Sequence, residues 1–192
     1  TDERGLFEAL SLEAFQVGLS WRTILARREA FRHAFEGFDP ERVAAFTDQD
    51  VARLLQNEDI IRNERKIRAV ISNARLTLRM RELAATPRDA SAEDIHLPLI
   101  APSSTPAKED SSEAADTRRR RVRTLSFEDL ERMRERTLSD GTHVPGGLPA
   151  WLWSFAPSET IAPLTQNDIP TDTPESALLA KSFKTLGGVF LG

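Results

Sequence analysis

The sequence has 192 residues, 40% hydrophobic and 29% charged, with 26 Lys and Arg against 30 Asp and Glu and a formal net charge of -4. That length holds one domain with a sizeable core, and the lack of any cysteine excludes a disulfide framework, a cysteine nucleophile and Cys-ligated zinc. The net charge argues mildly against a non-specific polyanion binder, yet a sum conceals local patches.

In chain order the pattern is helical. Leu6, Phe7, Leu10 and the Glu13/Ala14 pair recur at helical spacing up to Gly18. Ser20 then caps a second helix, which the spacing predicts to carry Trp21, Ile24, Phe31 and Phe35 on one buried face. Asp39-Pro40 and the Thr47/Asp50 pair open two short helices, over 40–46 and 48–56. A long helix follows from Asn63 to about Leu83, with Ile67, Val70, Ile71, Ala74 and Leu78 inward.

Composition shifts near Ala84 and again near Gly147, which divides the chain into a first helical region (residues 1–83), a central insertion (residues 84–147) and a second helical region (residues 148–192). Residues 86–117 are rich in Pro, Ser, Ala and acidic groups with few large apolar side chains, so disorder is expected there. Residues 125–138 predict a short amphipathic helix capped by Ser126, with Leu130, Met133 and Leu138 on one side, closed by Asp140-Gly141. LPAWLWSF, from Leu148, reads as core. A last helix opens at Thr173-Pro174 and ends at Gly187-Gly188. No strand or hairpin signal appears in the two helical regions, so the fold class is all-α, interrupted by a largely disordered insertion.

Three features are candidates for chemistry. Arg62, Arg65, Lys66, Arg68, Arg75, Arg79 and Arg81 cluster on the long helix, and those at its start share it with free backbone amides that attract anions. A short helix, a turn and a second helix of this kind form the layout of a helix-hairpin-helix clamp on a DNA phosphate, although a charge run is more often a solvated face. Glu13 and Trp21, separated by Gly18-Leu19-Ser20, can face one pocket for a flat heterocycle, although each also fits an ordinary helix residue. The Arg118 to Arg121 run reads equally as an import signal, a DNA-binding arm or solvated charge. His33, His96 and His143 form no HExxH, and no GxGxxG or P-loop pattern occurs, so no metal or cofactor site is assigned.

The motifs LSLEAFQVGLSW, FDPERVAAF, and IIRN followed by KI, with the later LWSF and IPTDTPESALLAKSFKTLGG, make the chain resemble the DNA-3-methyladenine glycosylase I family. The likeness covers Leu6 to about Met80 and Trp151 to Gly192. It implies a helical DNA glycosylase domain with a helix-hairpin-helix element that excises 3-methyladenine from alkylated double-stranded DNA by base flipping and N-glycosidic hydrolysis. Glu13, as the residue that reads the base, is the one to which catalysis is assigned, with no nucleophile nominated. Trp21 stacks on the base. Gly18 and Leu19 lie toward the DNA, and Arg62, Asn63, Arg65 and Lys66 bind its backbone. The family's terminal zinc staple would require Cys and His ligands on segments before Thr1 and after Gly192, so a chain truncated at both ends, without zinc and without the second stacking Tyr, is expected. Asp59 stands where the family has a glycine in a left-handed turn.

No run approaches 18 apolar residues and TDERGLFEAL lacks the order of a signal peptide. An intracellular monomer without membrane contact is expected, nuclear in a eukaryote and cytoplasmic otherwise. The alternatives are a catalytically inactive DNA-binding remnant of that family, and a helical partner-interaction domain with no DNA function.

Overall fold

The computed structural model describes residues 2–87, 96–98, 122–157 and 173–189. Its first helix, α1 (Glu3–Gln16), starts where the Asp2 carboxylate accepts the Gly5 amide at 3.0 Å, and it buries Phe7, Leu10, Leu12 and Phe15. The helix expected after Ser20 is two helices, α2 (Trp21–Leu25) and α3 (Arg28–Ala34). They part at Arg27, whose guanidinium donates to the carbonyls of Glu58 and Asp59 at 3.0 and 2.9 Å. Ile24, Phe31 and Phe35 are buried as the spacing predicts. Trp21 is not: the helix does not run through to align it with them, and it stands 43% exposed at the start of α2.

A short 3-10 turn (Glu36–Phe38) leads to α4 (Pro40–Ala44), which the Asp39 carboxylate caps by accepting from the amides of Glu41 and Arg42. The helix stops before Phe46 because Arg75 donates to the carbonyls of Ala44 and Phe46, satisfying groups that a further turn would have used. α5 (Asp48–Gln56) begins as predicted, with the Asp50 carboxylate accepting the Thr47 amide at 2.9 Å. Then comes the spine, α6 (Glu64–Ala84), capped by the Asn63 side chain and packed against α1, α4 and α5. Around it the rings of Phe7, Phe15, Phe31, Phe35 and Phe38 form one aromatic cluster, in which Phe15 meets Phe31 at 4.5 Å and Phe35 stacks on Phe38 at 5.6 Å. Each buried ring stabilises the fold by about 1.5–3 kcal/mol relative to its exposure.

Most of the segment expected to be disordered, like the Arg118 to Arg121 run, lies outside the described residues. Inside that segment lies β1 (His96–Pro98), which pairs antiparallel with β2 (Val122–Thr124) beyond it, Leu97 opposite Arg123. The following stretch of the central block is packed structure. α7 (Phe127–Met133) carries the predicted Ser126 cap, reciprocated by Asp129, and lays Leu130 and Met133 against α6. It ends short of Leu138, since Arg134 turns to an extended conformation (φ −72°, ψ 147°). Asp140-Gly141 is therefore a hairpin turn, not a helix stop: β3 (Arg136–Thr137) pairs with β4 (His143–Val144), and the Asp140 carboxylate accepts the Thr142 amide.

The chain then crosses α6 at Gly147, where a β-carbon would sit 3.2 Å from Arg81 Cα and φ is +92°. α8 (Leu148–Trp153) buries Trp151 completely, its ring 4.9 Å from Phe155 and 5.7 Å from Phe183. Phe183 belongs to α9 (Pro174–Thr185), opened by Thr173 and Ser176 as the sequence indicates. Beyond α9, the buried Asn73 side chain on α6 donates to the Val189 carbonyl and accepts the Val189 amide, both at 2.9 Å, so the segment just after α9 is fastened to the spine. No helix among the described residues is long and apolar enough to cross a membrane.

Candidate functional site

The end of α1 and the start of α2 are joined by a tight turn. Gly18, at φ +80°, takes a conformation that a side chain disfavours, and it reverses the chain in two residues. The Leu19 amide donates to the Gln16 carbonyl at 2.6 Å, and the Gln16 side-chain amide returns a bond to the Leu19 carbonyl at 2.8 Å. Ser20 caps α2 by accepting from the Thr23 amide. One turn of helix upstream lies Glu13, half-buried, while its neighbours Ala14 and Phe15 are in the core. Among the described residues the Glu13 carboxylate has no hydrogen-bond or ion-pair partner, whereas Glu8, two turns from the same end, is held by Arg28 and Arg32. A half-buried carboxylate without a partner among the described residues, and an aromatic ring left exposed across the turn, each keep unspent capacity to bind a polar, flat group.

The second element of the site is the connection 57–63 between α5 and α6. Asn57 folds it by accepting the Asp59 amide on its side chain at 3.0 Å, and Asp59 does not adopt the left-handed conformation, so aspartate carries no backbone strain here. Ile60 is buried and anchors the turn in the core. The turn is also held from outside by Arg27, which covers the Glu58 and Asp59 carbonyls. Asn63, exposed at the end, accepts the Lys66 amide and so starts α6.

Arg62, Arg65 and Lys66 separate in the structure. Arg62 is exposed and makes one long contact to Glu58, at 3.5 Å. Arg65 is exposed, with no partner among the described residues. Lys66 points the other way: it is 8% exposed, and its ammonium donates to the Phe15 and Val17 carbonyls at 2.8 and 2.5 Å, at the end of α1. Burial lowers its pKa from the usual lysine value.

The remaining basic residues of α6 serve the fold rather than a continuous basic surface. Arg68 joins Glu64 to Asp48, and those hydrogen bonds, Asp48 foremost, raise its pKa. Arg75 caps α4, and Arg79 pairs with Glu82. Arg81 is clamped between Glu3 and Glu41, chiefly by its hydrogen bond to Glu3, so its pKa is raised well beyond the usual arginine range. Between Arg62 and Arg81 the free positive charge is confined to Arg65, in the first turn of α6, and to Arg62, two residues before the helix starts. Among the described residues no group of three or more His, Asp or Glu side chains is placed to hold a metal ion.

Comparison with known proteins gives consistent relatives. DNA-3-methyladenine glycosylase 1 of Escherichia coli (strain K12) is 50% identical over 82 residues, which are 43% of this chain and 44% of that protein. The DNA-3-methyladenine glycosylase of Haemophilus influenzae (strain ATCC 51907 / DSM 11121 / KW20 / Rd) is 43% identical over 79 residues, 41% of this chain and 43% of that protein. The matched stretch thus spans less than half the length of either bacterial relative. A crystal structure of a 3-methyladenine DNA glycosylase I superposes with a TM-score of 0.62 at 33% identity, covering 100% of this chain and 73% of that one. A 3-methyladenine DNA glycosylase I from Staphylococcus aureus, at 24% identity and a TM-score of 0.62, covers 100% of this chain and 70% of that one and shares the fold. The model of the methyladenine glycosylase family matches residues 1–117, a stretch that runs unbroken through the Gly18 turn, the 57–63 connection and the spine, and the chain belongs to that family.

Proposed function

We propose that this protein is a DNA-3-methyladenine glycosylase, which flips an alkylated adenine out of duplex DNA and hydrolyses its N-glycosidic bond. The observation that carries the reading is the half-buried Glu13 carboxylate, without a partner among the described residues, in the last turns of α1 before the Gly18 turn, with Trp21 exposed on the far side of that turn. The relatives' names support the choice of base.

Methylation at N3 places a positive charge on the adenine, so the bond between its N9 and the sugar C1′ is already labile. When it breaks, the bonding pair leaves with the base, which departs neutral, and water adds its oxygen to C1′ and releases a proton. The site needs to recognise and shield rather than attack. Glu13 favours the cationic base over neutral adenine by charge and hydrogen bonding, and the Trp21 face stacks on it. Gly18 and Leu19 form the edge turned to the DNA. The 57–63 connection acts as the hairpin of a helix-hairpin-helix element, in which Arg62, Asn63, Arg65 and the first amides of α6 take a backbone phosphate. The zinc implied by the family resemblance does not fit the residues present: the sequence has no cysteine, and the described residues place no cluster of donors together.

The test is release of free 3-methyladenine from methylated duplex DNA. Unaltered protein is expected to release base faster than spontaneous depurination. Glu13→Gln, which keeps the shape but loses the charge-assisted hydrogen bond, is expected to slow release by about 10- to 100-fold, and Trp21→Ala to slow it as well. Release no faster than in a protein-free control refutes the reading.

The 43% exposure of Trp21 favours a second reading, a DNA-binding remnant whose pocket does not close on the base. Salt-dependent duplex binding without base release is its signature.

A further inference from the structure

We propose that Lys66 is a positioning residue, whose buried ammonium locks the Glu13-to-Trp21 turn to the start of α6 so that the phosphate-binding end and the base pocket move as one body. The functional half of this inference rests on the glycosylase reading above; the mechanical half stands on contacts alone.

Lys66 occupies an electrostatically poor position for a surface lysine. It lies in the first turn of α6, where the helix dipole repels a cation, and it is 8% exposed. What offsets both costs is the other helix. α1 ends without any basic residue in its own last turn, so its terminal carbonyls need a donor from elsewhere. Lys66 supplies it, reaching the Phe15 and Val17 carbonyls across about fifty residues of sequence. The adjoining groups of the turn are already closed by Val17 on Glu13, Leu19 on Gln16 and Gln16 on Leu19. Removing the ammonium therefore leaves the Phe15 and Val17 carbonyls without this donor.

The 57–63 connection that leads into α6 is gripped by Arg27, which follows α2 and donates to the Glu58 and Asp59 carbonyls. Arg27 ties the helix carrying Trp21 to the hairpin, and Lys66 ties the helix carrying Glu13 to it. A phosphate engaging Arg62 and Arg65 thus meets a turn coupled to both walls of the pocket.

Lys66→Met keeps the aliphatic stem and removes the donor. Amide hydrogen exchange on the free chain is expected to speed up at least about tenfold at Leu19, whose amide reports the turn, with Val70 on the buried face of α6 unchanged. Unchanged exchange at Leu19 overturns the proposal. In the unaltered protein the Lys66 ammonium is expected to give a nitrogen-15 signal protected from solvent exchange, unlike those of the exposed Lys181 and Lys184. This measurement decides the matter if the methionine variant fails to fold, and equal exchange of all three overturns the proposal.

On methylated duplex, Lys66→Met is expected to lower single-turnover base release at saturating protein at least about tenfold while duplex affinity and its salt dependence stay as in the parent. Arg65→Ala provides the contrast by weakening and flattening the salt dependence. If Lys66→Met behaves like Arg65→Ala, Lys66 is a phosphate contact and the proposal is wrong. Absence of release by the unaltered protein instead refutes the glycosylase reading, and the exchange measurements still decide the role of Lys66.

Discussion

On the proposed glycosylase reading, the distribution of partners along α6 predicts how strongly duplex binding depends on salt, and which residues cause it. Lys66, Arg68, Arg75, Arg79 and Arg81 are each committed to protein acceptors, so of the basic residues from Arg62 to Arg81 only Arg62 and Arg65 have charge to offer a phosphate. Each phosphate contact contributes a slope of about 0.9 to the fall of log affinity with log salt. Two contacts give about 1.8, and a fourfold rise in salt, from roughly 50 to 200 mM, then weakens this component of binding about twelvefold. The double variant Arg62→Ala, Arg65→Ala is expected to lose that increment. The assay is fluorescence anisotropy with an unmodified labelled duplex across a salt series, comparing slopes rather than single affinities. Arg68→Ala is the control: its guanidinium bridges Glu64 and Asp48, and the slope is expected to stay within about 0.3 of the parent value. If Arg68→Ala flattens the salt dependence as much as Arg65→Ala, or if the double variant leaves it unchanged, then the ion pairs of α6 do not set which charges reach DNA.

Two further predictions concern how the site is held. Glu8 is buried between Arg28 and Arg32; burial alone raises its pKa, but the hydrogen bonds from both guanidinium groups outweigh that and hold it below the ordinary value of 4.5. A lowered folded-state pKa contributes stability that is fully present above that ordinary value and is lost as pH falls through the folded one, so Glu8→Gln is expected to lower stability at pH 7 and to differ less from the parent in acid. The cost at pH 7 is about 1–3 kcal/mol, below the usual value for a broken buried pair because both arginines are more than a third exposed and can rehydrate. Urea unfolding at several pH values checks this, and a gap that widens toward pH 3 contradicts it. Asn73→Ala leaves the Val189 amide and carbonyl without their partner and is expected to cost about 1–3 kcal/mol in the same assay, while amide exchange loosens first after α9 rather than at the Gly18 turn.

The features legible in the sequence are those in which the decisive atoms lie within four residues of each other. Asp39-Pro40, Thr47 with Asp50, Asn63, Ser126 and Thr173 with Ser176 open the helices that their spacing predicts, because a cap is chosen by its own next turn. The reversal at Gly18 is legible for the same reason. Asp140-Gly141 is visible as a chain reversal but not as a hairpin, since only the strand partners distinguish that from a helix end. Helical spacing puts Trp21 on a buried face only if the helix continues through Arg27, where contacts more than thirty residues away break it.

The charges of α6 show most clearly why the rest is hidden from a reading of the sequence. By spacing, its arginines and lysine are equivalent cations on one helix, and a basic surface is the natural inference. Their roles differ because of partners that periodicity does not see: Asp48 lies 20 residues from Arg68, the Ala44 carbonyl 31 from Arg75, Val17 49 from Lys66 and Glu3 78 from Arg81. An arginine whose donors are filled by carboxylates and carbonyls has little left for phosphate, and detaching it would cost the fold what DNA returned. Specific binding in this architecture is therefore not a matter of total positive charge. It depends on which cations the tertiary structure leaves loosely held, and between Arg62 and Arg81 these are Arg62, with its one long contact to Glu58, and Arg65, next to the lysine that turns inward to the end of α1.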